Sequence, residues 1–329
     1  MVVDTTIAQV DALVATARYA EAARLLIAAA AGGNPQACAT LAEWRIRGDI
    51  VRRNLPAARA LLARAAAGGD GDAAMLHSFF LAAGVGGGAD WPAAFRSLQA
   101  LARSDPGAAA QMQLLQRMEI DEGGAPLQVP EGRILARAPH AVAFDAFATA
   151  EECAYLRRRI EAALIPSTVI DPDSGEMIPH PVRVSDGAIF GVHDEDLVVN
   201  AINRRIASAT GTETAQGEPL QLLRYRPGGE YRAHLDALPA GMSQRILTLI
   251  VYLTDDYEGG ETRFLRTGLT FRGRIGDALL FRNVTADGRP DPLALHAGLP
   301  VTRGEKAIAS RWIRDSAFSY PPPPPLLDL

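Results

Sequence analysis

The chain has 329 residues, 48% of them apolar and 22% charged, enough to bury a real core and too many for one average domain, so global disorder is excluded. With 33 Lys and Arg against 38 Asp and Glu, the net charge of −5 argues against a dedicated nucleic-acid binder. Two cysteines, Cys38 and Cys153, are too few for a disulfide framework or a cysteine-based metal cluster.

No basic stretch followed by an apolar core stands at the start. The most apolar run outside the Ala-rich part, residues 246–253, is far below the roughly 20 residues of a bilayer-spanning helix. The expectation is a cytoplasmic protein with no membrane partner. Residues 1–118 are rich in Ala, Leu and Arg with few β-branched runs, which predicts helices. Ala31-Gly32-Gly33-Asn34 recurs as Ala67-Gly68-Gly69-Asp70, an offset of 36, and Leu25-Leu26 recurs as Leu61-Leu62. A further step of 36 carries Leu62 to Leu98, Asp70 to Pro106 and Ala73 to Ala109. A period in the mid-thirties predicts an α-solenoid of stacked helical pairs. Such repeats either present a face to a protein partner or brace the rest of the chain, and the sequence leaves both open.

Residues 121–130, with Gly123-Gly124, Pro126 and Pro130, read as turn chemistry. Residues 119–130 are therefore a linker between a helical domain, 1–118, and a second domain, 131–318, with 319–329 as a proline-rich tail. In the second domain, 149–164 and 194–209 have amphipathic helical spacing, and Thr149 with Glu152 reads as a capping box. After Pro219, short segments at 221–225, 245–253, 262–264, 277–281 and 306–314, parted by Gly, Pro and Asp, predict strands of a sandwich or barrel. The fold class is α+β.

His234-Leu235-Asp236 puts two ligand-type side chains at i and i+2, on one face of an extended segment, and His296 lies sixty residues on. Two His and one carboxylate form the facial triad that holds non-haem Fe(II) with positions left open. His77, His140, His180 and His193 read as surface or core histidines. Lys306, Ile308, Ser310, Trp312 and Arg314 alternate onto one strand face, with Ala307, Ala309 and Ile313 on the other. A lysine sharing a face with Ile308 and Trp312 points to a buried anion. Gly228-Gly229 and Gly259-Gly260 read as turns, Tyr231 as core, and Asp255, Asp256 and Glu258 as a solvated acidic tip.

The ordered set Tyr225-Arg226-Pro227-Gly228-Gly229-Glu230-Tyr231-Arg232-Ala233-His234-Leu235-Asp236, Arg245-Ile246-Leu247-Thr248, Tyr252-Leu253, Gly259-Gly260-Glu261-Thr262, His296-Ala297-Gly298, Lys306 and Trp312 resembles the 2-oxoglutarate- and Fe(II)-dependent prolyl 4-hydroxylases over about residues 135–318. The helical half resembles Sel-one-like, tetratricopeptide-type repeats over about residues 8–116. The first resemblance implies a double-stranded β-helix, a jelly-roll with the metal in its mouth. It implies His234, Asp236 and His296 as the catalytic iron ligands, and Lys306 with Tyr225 and Thr262 as the anchors of the distal carboxylate of 2-oxoglutarate. Arg245 and Arg314 match positions near a peptide substrate.

The implied cofactors are Fe(II), 2-oxoglutarate, O2 and ascorbate. The implied reaction is hydroxylation of an unactivated C–H bond, that of a peptidyl proline in a protein partner recruited by the repeats, with succinate and CO2 as co-products. Asp236 argues against a halogenase, whose site lacks the carboxylate so that chloride can coordinate. Two departures bear on the substrate cleft: the loop from Asp236 to Arg245 is short, and Ala307 stands where many relatives carry a bulky aromatic. Two rival readings are an oxygenase of a free amino acid or small metabolite, and a repeat-based adaptor whose oxygenase domain is not catalytic. The run Pro321 to Pro325 predicts polyproline II, read either as a built-in competitor for the cleft or as a loose chain end.

Overall fold

The computed structural model describes residues 5–129, 131–170, 177–179, 182–239, 242–319 and 323–329; Pro130, His180, Pro321 and Pro322 of the sequence reading lie outside them. The chain divides into two compact units. One comprises Met1–Ala125 with Asp196–Ala201 and Ser319–Leu329, the other Pro126–Glu195 with Ile202–Phe318.

The first unit is built on seven helices: α1 (Thr6–Ala15), α2 (Tyr19–Ala31), α3 (Pro35–Arg47), α4 (Leu55–Ala67), α5 (Gly71–Ala83), α6 (Trp91–Leu101) and α7 (Pro106–Leu115). The last five begin in the same way. Asn34, Asn54, Asp70, Asp90 and Asp105 each accept a hydrogen bond from the N–H three residues on, and all but α5 carry Pro in the first turn. The 36-residue offset is written into the backbone. Caps Asn34 and Asp70 are matched by Asn54 and Asp90, and left-handed Gly48 and Gly84 end α3 and α5. The third step differs from the expected register: the residue equivalent to Asp70 is Asp105, not Pro106. The cause is local, because α6 has 11 residues where α4 has 13 and the turn after it is one residue longer. Buried alanines, among them Ala22, Ala37, Ala58, Ala65, Ala73 and Ala94, let successive helices approach closely around Leu26, Leu62, Phe80 and Leu98.

The rest of the chain is β1 (Gly132–Arg137), β2 (His140–Phe144), α8 (Ala150–Ile160), β3 (Ile165–Pro166), β4 (Thr168–Ile170), β5 (Met177–Pro179), β6 (Arg183–Val184), β7 (Asp186–Ile189), α9 (Leu197–Thr210), β8 (Gln221–Tyr225), β9 (Glu230–His234), β10 (Arg245–Tyr252), β11 (Glu258–Gly259), β12 (Thr262–Phe264), β13 (Thr270–Phe271), β14 (Ala278–Arg282), β15 (His296–Gly298), β16 (Val301–Arg303) and β17 (Lys306–Arg314). An eight-stranded sheet of order β1-β2-β14-β10-β17-β8-β7-β3 and a five-stranded sheet of order β13-β12-β15-β9-β6 carry the fold, and every strand pair is antiparallel. Leu223, Ile250, Leu279 and Phe281 of the larger sheet pack with Phe264 of the smaller, so the core lies between them, the jelly-roll arrangement of a double-stranded β-helix.

Helix α8 starts on the Thr149–Glu152 capping box, and Glu152 also takes both guanidinium nitrogens of Arg205 at 2.7 Å inside the unit. The five expected strands fall within one residue of the observed ones. The seven strands ahead of Pro219 were not among those expected. Most are two to four residues long, and β1 shows no apolar alternation, so pairing to the sheet rather than local pattern makes them strands. Among the described residues, no helix is long and apolar enough to cross a membrane.

Candidate active site

Strands β9 and β15 are neighbours in the five-stranded sheet, and their register sets His296 directly opposite His234. Asp236 follows two residues after His234. Its carboxylate lies 3.6 Å from His234 Nε2 and 3.8 Å from His296 Nε2, and one ligand atom from each of the three residues falls within 4.8 Å of the others. Among the described residues these are the one group of His, Cys, Asp or Glu gathered closely enough to hold a metal ion.

The imidazoles are oriented from behind. Nδ1 of His234 lies 2.8 Å from the carbonyl of Arg232, and Nδ1 of His296 lies 2.9 Å from that of Ala294. Each Nδ1 therefore donates, which leaves the Nε2 lone pairs facing the carboxylate. Tyr231 stacks on His234 with ring centroids 3.5 Å apart, and Phe281 meets His296 edge-on at 4.7 Å. Burial, reinforced by His296, pushes the His234 imidazole well below its ordinary value, so it is neutral and free to ligate at neutral pH. Burial alone would raise the Asp236 carboxyl, but the two imidazoles and the Thr248 hydroxyl outweigh it and hold the carboxyl below the usual range.

Asp236 is fixed by residues to which the sequence motifs assign no role. Thr248 Oγ1 donates to Asp236 Oδ2 at 2.7 Å, and Asn283 Nδ2 donates to Thr248 Oγ1 at 2.9 Å, all three residues being buried. Trp312, opposite Thr248 across the β10–β17 ladder, also hydrogen-bonds the carboxyl. One signal was available: Thr248 is the single polar residue within the otherwise apolar run 246–253 besides Tyr252.

Lys306 pairs in register with Tyr225 across β17 and β8. Its ammonium is buried, donates to the carbonyl of Gly260 at 2.7 Å, and lies 5.3 Å and 5.7 Å from the rings of Tyr225 and Tyr252. Among the described residues no carboxylate reaches it at salt-bridge distance, and desolvation lowers its pKa to about 8 against an opposing pull from Glu261. The chain turns tightly here, with Gly259 and Gly260 both at positive φ. Thr262 is buried and hydrogen-bonds the hydroxyl of Tyr252 at 2.9 Å, so Tyr252, quoted in the motif set without a role, joins this group.

Thr262 is paired with Gly298 and Phe264 with His296, which puts Thr262, Gly298 and His296 on one face. Gly298 lies next to Lys306, since a Cβ there would stand 4.0 Å from Lys306 Nζ and 3.7 Å from Tyr231 Cβ. A buried cation without a carboxylate partner, two tyrosine rings beside it and Gly298, which carries no side chain, on the face shared by Thr262 and His296 fit a small dicarboxylate held by Lys306. The three ligand atoms with inward Nε2 lone pairs fit a divalent iron ion.

Arg245 and Arg314 are brought together by the β10–β17 register. Both are tied to Glu218, Arg245 bidentately at 2.6 and 2.9 Å and Arg314 at 2.5 Å, while the Arg245 guanidinium lies 3.5 Å above the ring of Trp312. Two guanidiniums share one carboxylate beside Trp312, which in turn hydrogen-bonds Asp236. The short loop after Asp236 is closed by Gln244, whose amide accepts from the N–H of Leu238 and donates to its carbonyl.

A profile of the 2OG-Fe(II) oxygenase superfamily matches residues 220–314. Prolyl 4-hydroxylase 1 of Arabidopsis thaliana is 34% identical over 206 residues, covering 56% of this chain and 72% of that protein. Probable prolyl 4-hydroxylase 9 of the same plant is 35% identical, covering 59% of this chain and 73% of that protein. Among solved structures, the viral collagen prolyl hydroxylase of Paramecium Bursaria Chlorella virus-1, in its 2OG complex, is 28% identical with a TM-score of 0.44, covering 54% of this chain and 96% of that one. With a His-Asp-His group fit for iron and relatives matched over most of their length, the chain belongs to the prolyl 4-hydroxylases and is a 2OG-Fe(II)-dependent dioxygenase.

Proposed function

We propose that this dioxygenase hydroxylates a prolyl residue in a peptide or protein, with succinate and CO2 as co-products. The observation that carries the reading is the joint presence of the inward-facing His234, Asp236 and His296 and of the buried, anion-less Lys306 beside Gly298, two residues from His296. In this reading His234, Asp236 and His296 hold Fe(II), which supplies the oxygen-activating chemistry when bound. Lys306 takes the distal carboxylate of 2-oxoglutarate as a buried point charge, with Thr262 and Tyr225 as hydroxyl partners and Tyr252 holding Thr262 in place. The backbone carbonyls of Arg232 and Ala294 hold the protons on Nδ1 so that both Nε2 atoms stay available. Phe264, Phe281 and Tyr231 exclude water around the imidazoles, which protects the reacting centre from side reactions.

Arg245, Trp312 and Arg314 form the substrate side. A cationic, aromatic rim suits the carbonyl oxygens of an extended peptide and the ring of a proline. The relatives whose names state prolyl hydroxylation support this class of substrate, and the helical unit supports a macromolecular one that it helps to recruit.

The test combines two readouts. Purified protein with Fe(II), 2-oxoglutarate and O2 is given proline-rich peptides. The expected result is succinate formation together with one added oxygen atom on the peptide, located on proline by fragmentation. His234→Ala and Asp236→Ala should each abolish succinate formation and iron binding, because three protein ligands leave none to spare. Near wild-type succinate formation in either variant sinks the iron assignment. Oxygen found on a free amino acid but never on a peptide moves the protein to the small-molecule class.

A further inference from the structure

The loop after α3 departs from its own repeat. Thirty-six residues on, the equivalent loop after α5 is Val85-Gly86-Gly87-Gly88, whereas here Gly48 is followed by Asp49-Ile50-Val51-Arg52. The closing hydrogen bond is the same in both, Asn54 N–H to the Arg45 carbonyl and Asp90 N–H to the Leu81 carbonyl, so the frame is shared and only its contents differ. Residues that favour β-pairing replace glycines, and an arginine stands at each end of the segment, Arg45 in α3 and Arg52 in the loop.

This loop is occupied. Val51 forms a parallel bridge with Leu327, and the N–H groups of Leu326 and Leu327 donate to the carbonyls of Asp49 and Ile50 at 2.8 Å each. Arg52 Nε donates to Asp328 Oδ1 at 2.7 Å, and Arg45 Nη1 donates to the backbone oxygen of Leu329 at 2.5 Å. The bound segment is shallow: Leu326 is 58% exposed and Leu329 52%, while Val51 beneath is fully buried. Backbone pairing supplies the geometry, one charge pair supplies the register, and little apolar burial holds the segment down. An exposed ion pair contributes only about 1 kcal/mol at most, so a segment held this way exchanges readily.

We propose that the Asp49–Arg52 strip is a recognition site for a short extended protein segment of the pattern aliphatic-aliphatic-aspartate-aliphatic, which the chain's own Leu326-Leu327-Asp328-Leu329 fills in cis until a partner segment of that chemistry displaces it. The proposal is independent of the oxygenase chemistry. It makes the helical unit a peptide reader, with recruitment gated by the chain's own tail.

The test uses the full chain. Hydrogen exchange should show the Leu326 and Leu327 amides protected, and Leu327→Pro, which removes one of the two donors, should release Leu326. A fluorescent peptide, Pro-Pro-Pro-Leu-Leu-Asp-Leu, should bind the Leu327→Pro chain and bind wild type about tenfold or more weakly, since the tethered tail competes at about millimolar effective concentration. Adding Arg52→Glu should weaken that binding by about fivefold, and a peptide with Arg in place of its Asp should recover it. Unprotected tail amides in the wild-type chain overturn the proposal. So does a Leu327→Pro chain that folds, as shown by unchanged circular dichroism and succinate formation, yet binds no peptide. Binding indifferent to both charge reversals removes the aspartate from the recognition pattern and overturns it as stated.

Discussion

The seven repeat helices and the sheet unit treat buried charge in opposite ways. In α1–α7 the buried polar residues are Ser78 and Gln111, neither ionisable, and the helices are held by alanine packing and by side-chain caps. The sheet unit buries Glu152, Arg205, Glu218, Asp236, His296, Lys306 and Arg311. These divide again. Glu152 and Arg205 neutralise each other, and Arg311 gives its donors to the carbonyls of Glu218, Asn203 and Thr214. Asp236 faces two imidazoles and Lys306 a single carbonyl. Closed charges are architecture, whereas open ones, which would be costly if they stayed open, mark where ligands complete the site.

The sharpest way to break this comparison is to open a closed pair. Arg205→Leu leaves Glu152 buried without its partner and should destabilise the sheet unit by about 3–5 kcal/mol, read as a lowered unfolding midpoint in urea. The same variant, kept cold and folded, should turn over 2-oxoglutarate as wild type does. A fall in turnover with unchanged stability would place Arg205 among the open charges instead.

Removing an open charge should do the reverse. Lys306→Ala loses a charge-assisted partner of a carboxylate, worth about 2–3 kcal/mol, and should raise the 2-oxoglutarate KM roughly a hundredfold with iron binding intact. The free protein should not be destabilised, because an ammonium with a lowered pKa is a cost to the fold. With Lys306 at about 8, below its unfolded value, stability from this group rises as pH climbs through 8, while 2-oxoglutarate affinity falls over the same window. A KM flat from pH 7 to 9.5 would move the anchor elsewhere.

Thr248→Val should be milder. It deletes the hydroxyl on Asp236 Oδ2 at nearly constant volume and strands the Asn283 amide, which should weaken iron binding by about tenfold to a hundredfold, with Thr248→Ser restoring it. Titration of the metal into the apo protein reads this directly, and equal affinity in all three proteins would confine Thr248 to packing.

The sequence shows its ligands more readily than what aims them. His234, Asp236 and His296 are rare residue types at meaningful spacing, and Lys306 betrays itself by sharing a strand face with Ile308 and Trp312. Thr248 and Tyr252 are ordinary strand residues, and Asn283 an ordinary residue just after β14, until the two sheets are folded together, because their roles exist only between elements. The same holds for Arg311, which sits on the alanine face of β17 and gives its donors to backbone carbonyls of α9 and of the segment before β8. In the helical unit the repeat is legible because caps and left-handed glycines are local. The early strands are illegible because β3, β6 and β7 are strands only through the partners that pair with them.

The smallest expected effect tests whether α1–α7 are as independent of the chemistry as their lack of buried charge implies. Asp70 accepts from the N–H of Ala73 at 2.9 Å and closes the turn that left-handed Gly69 begins. Asp70→Ala removes one cap and leaves one N–H to water, which costs about 1 kcal/mol. With separate cores in the two units, that loss should appear only in the unfolding of α1–α7, followed by exchange of helical amides, and should add to the effect of Arg205→Leu without coupling. Succinate formation and the 2-oxoglutarate KM should be unchanged. If capping loss at Asp70 lowered the protection of β10 and β17 amides as much as that of α5, the two units would share one cooperative core, and the contrast between open and closed charge would have to be drawn within a single domain.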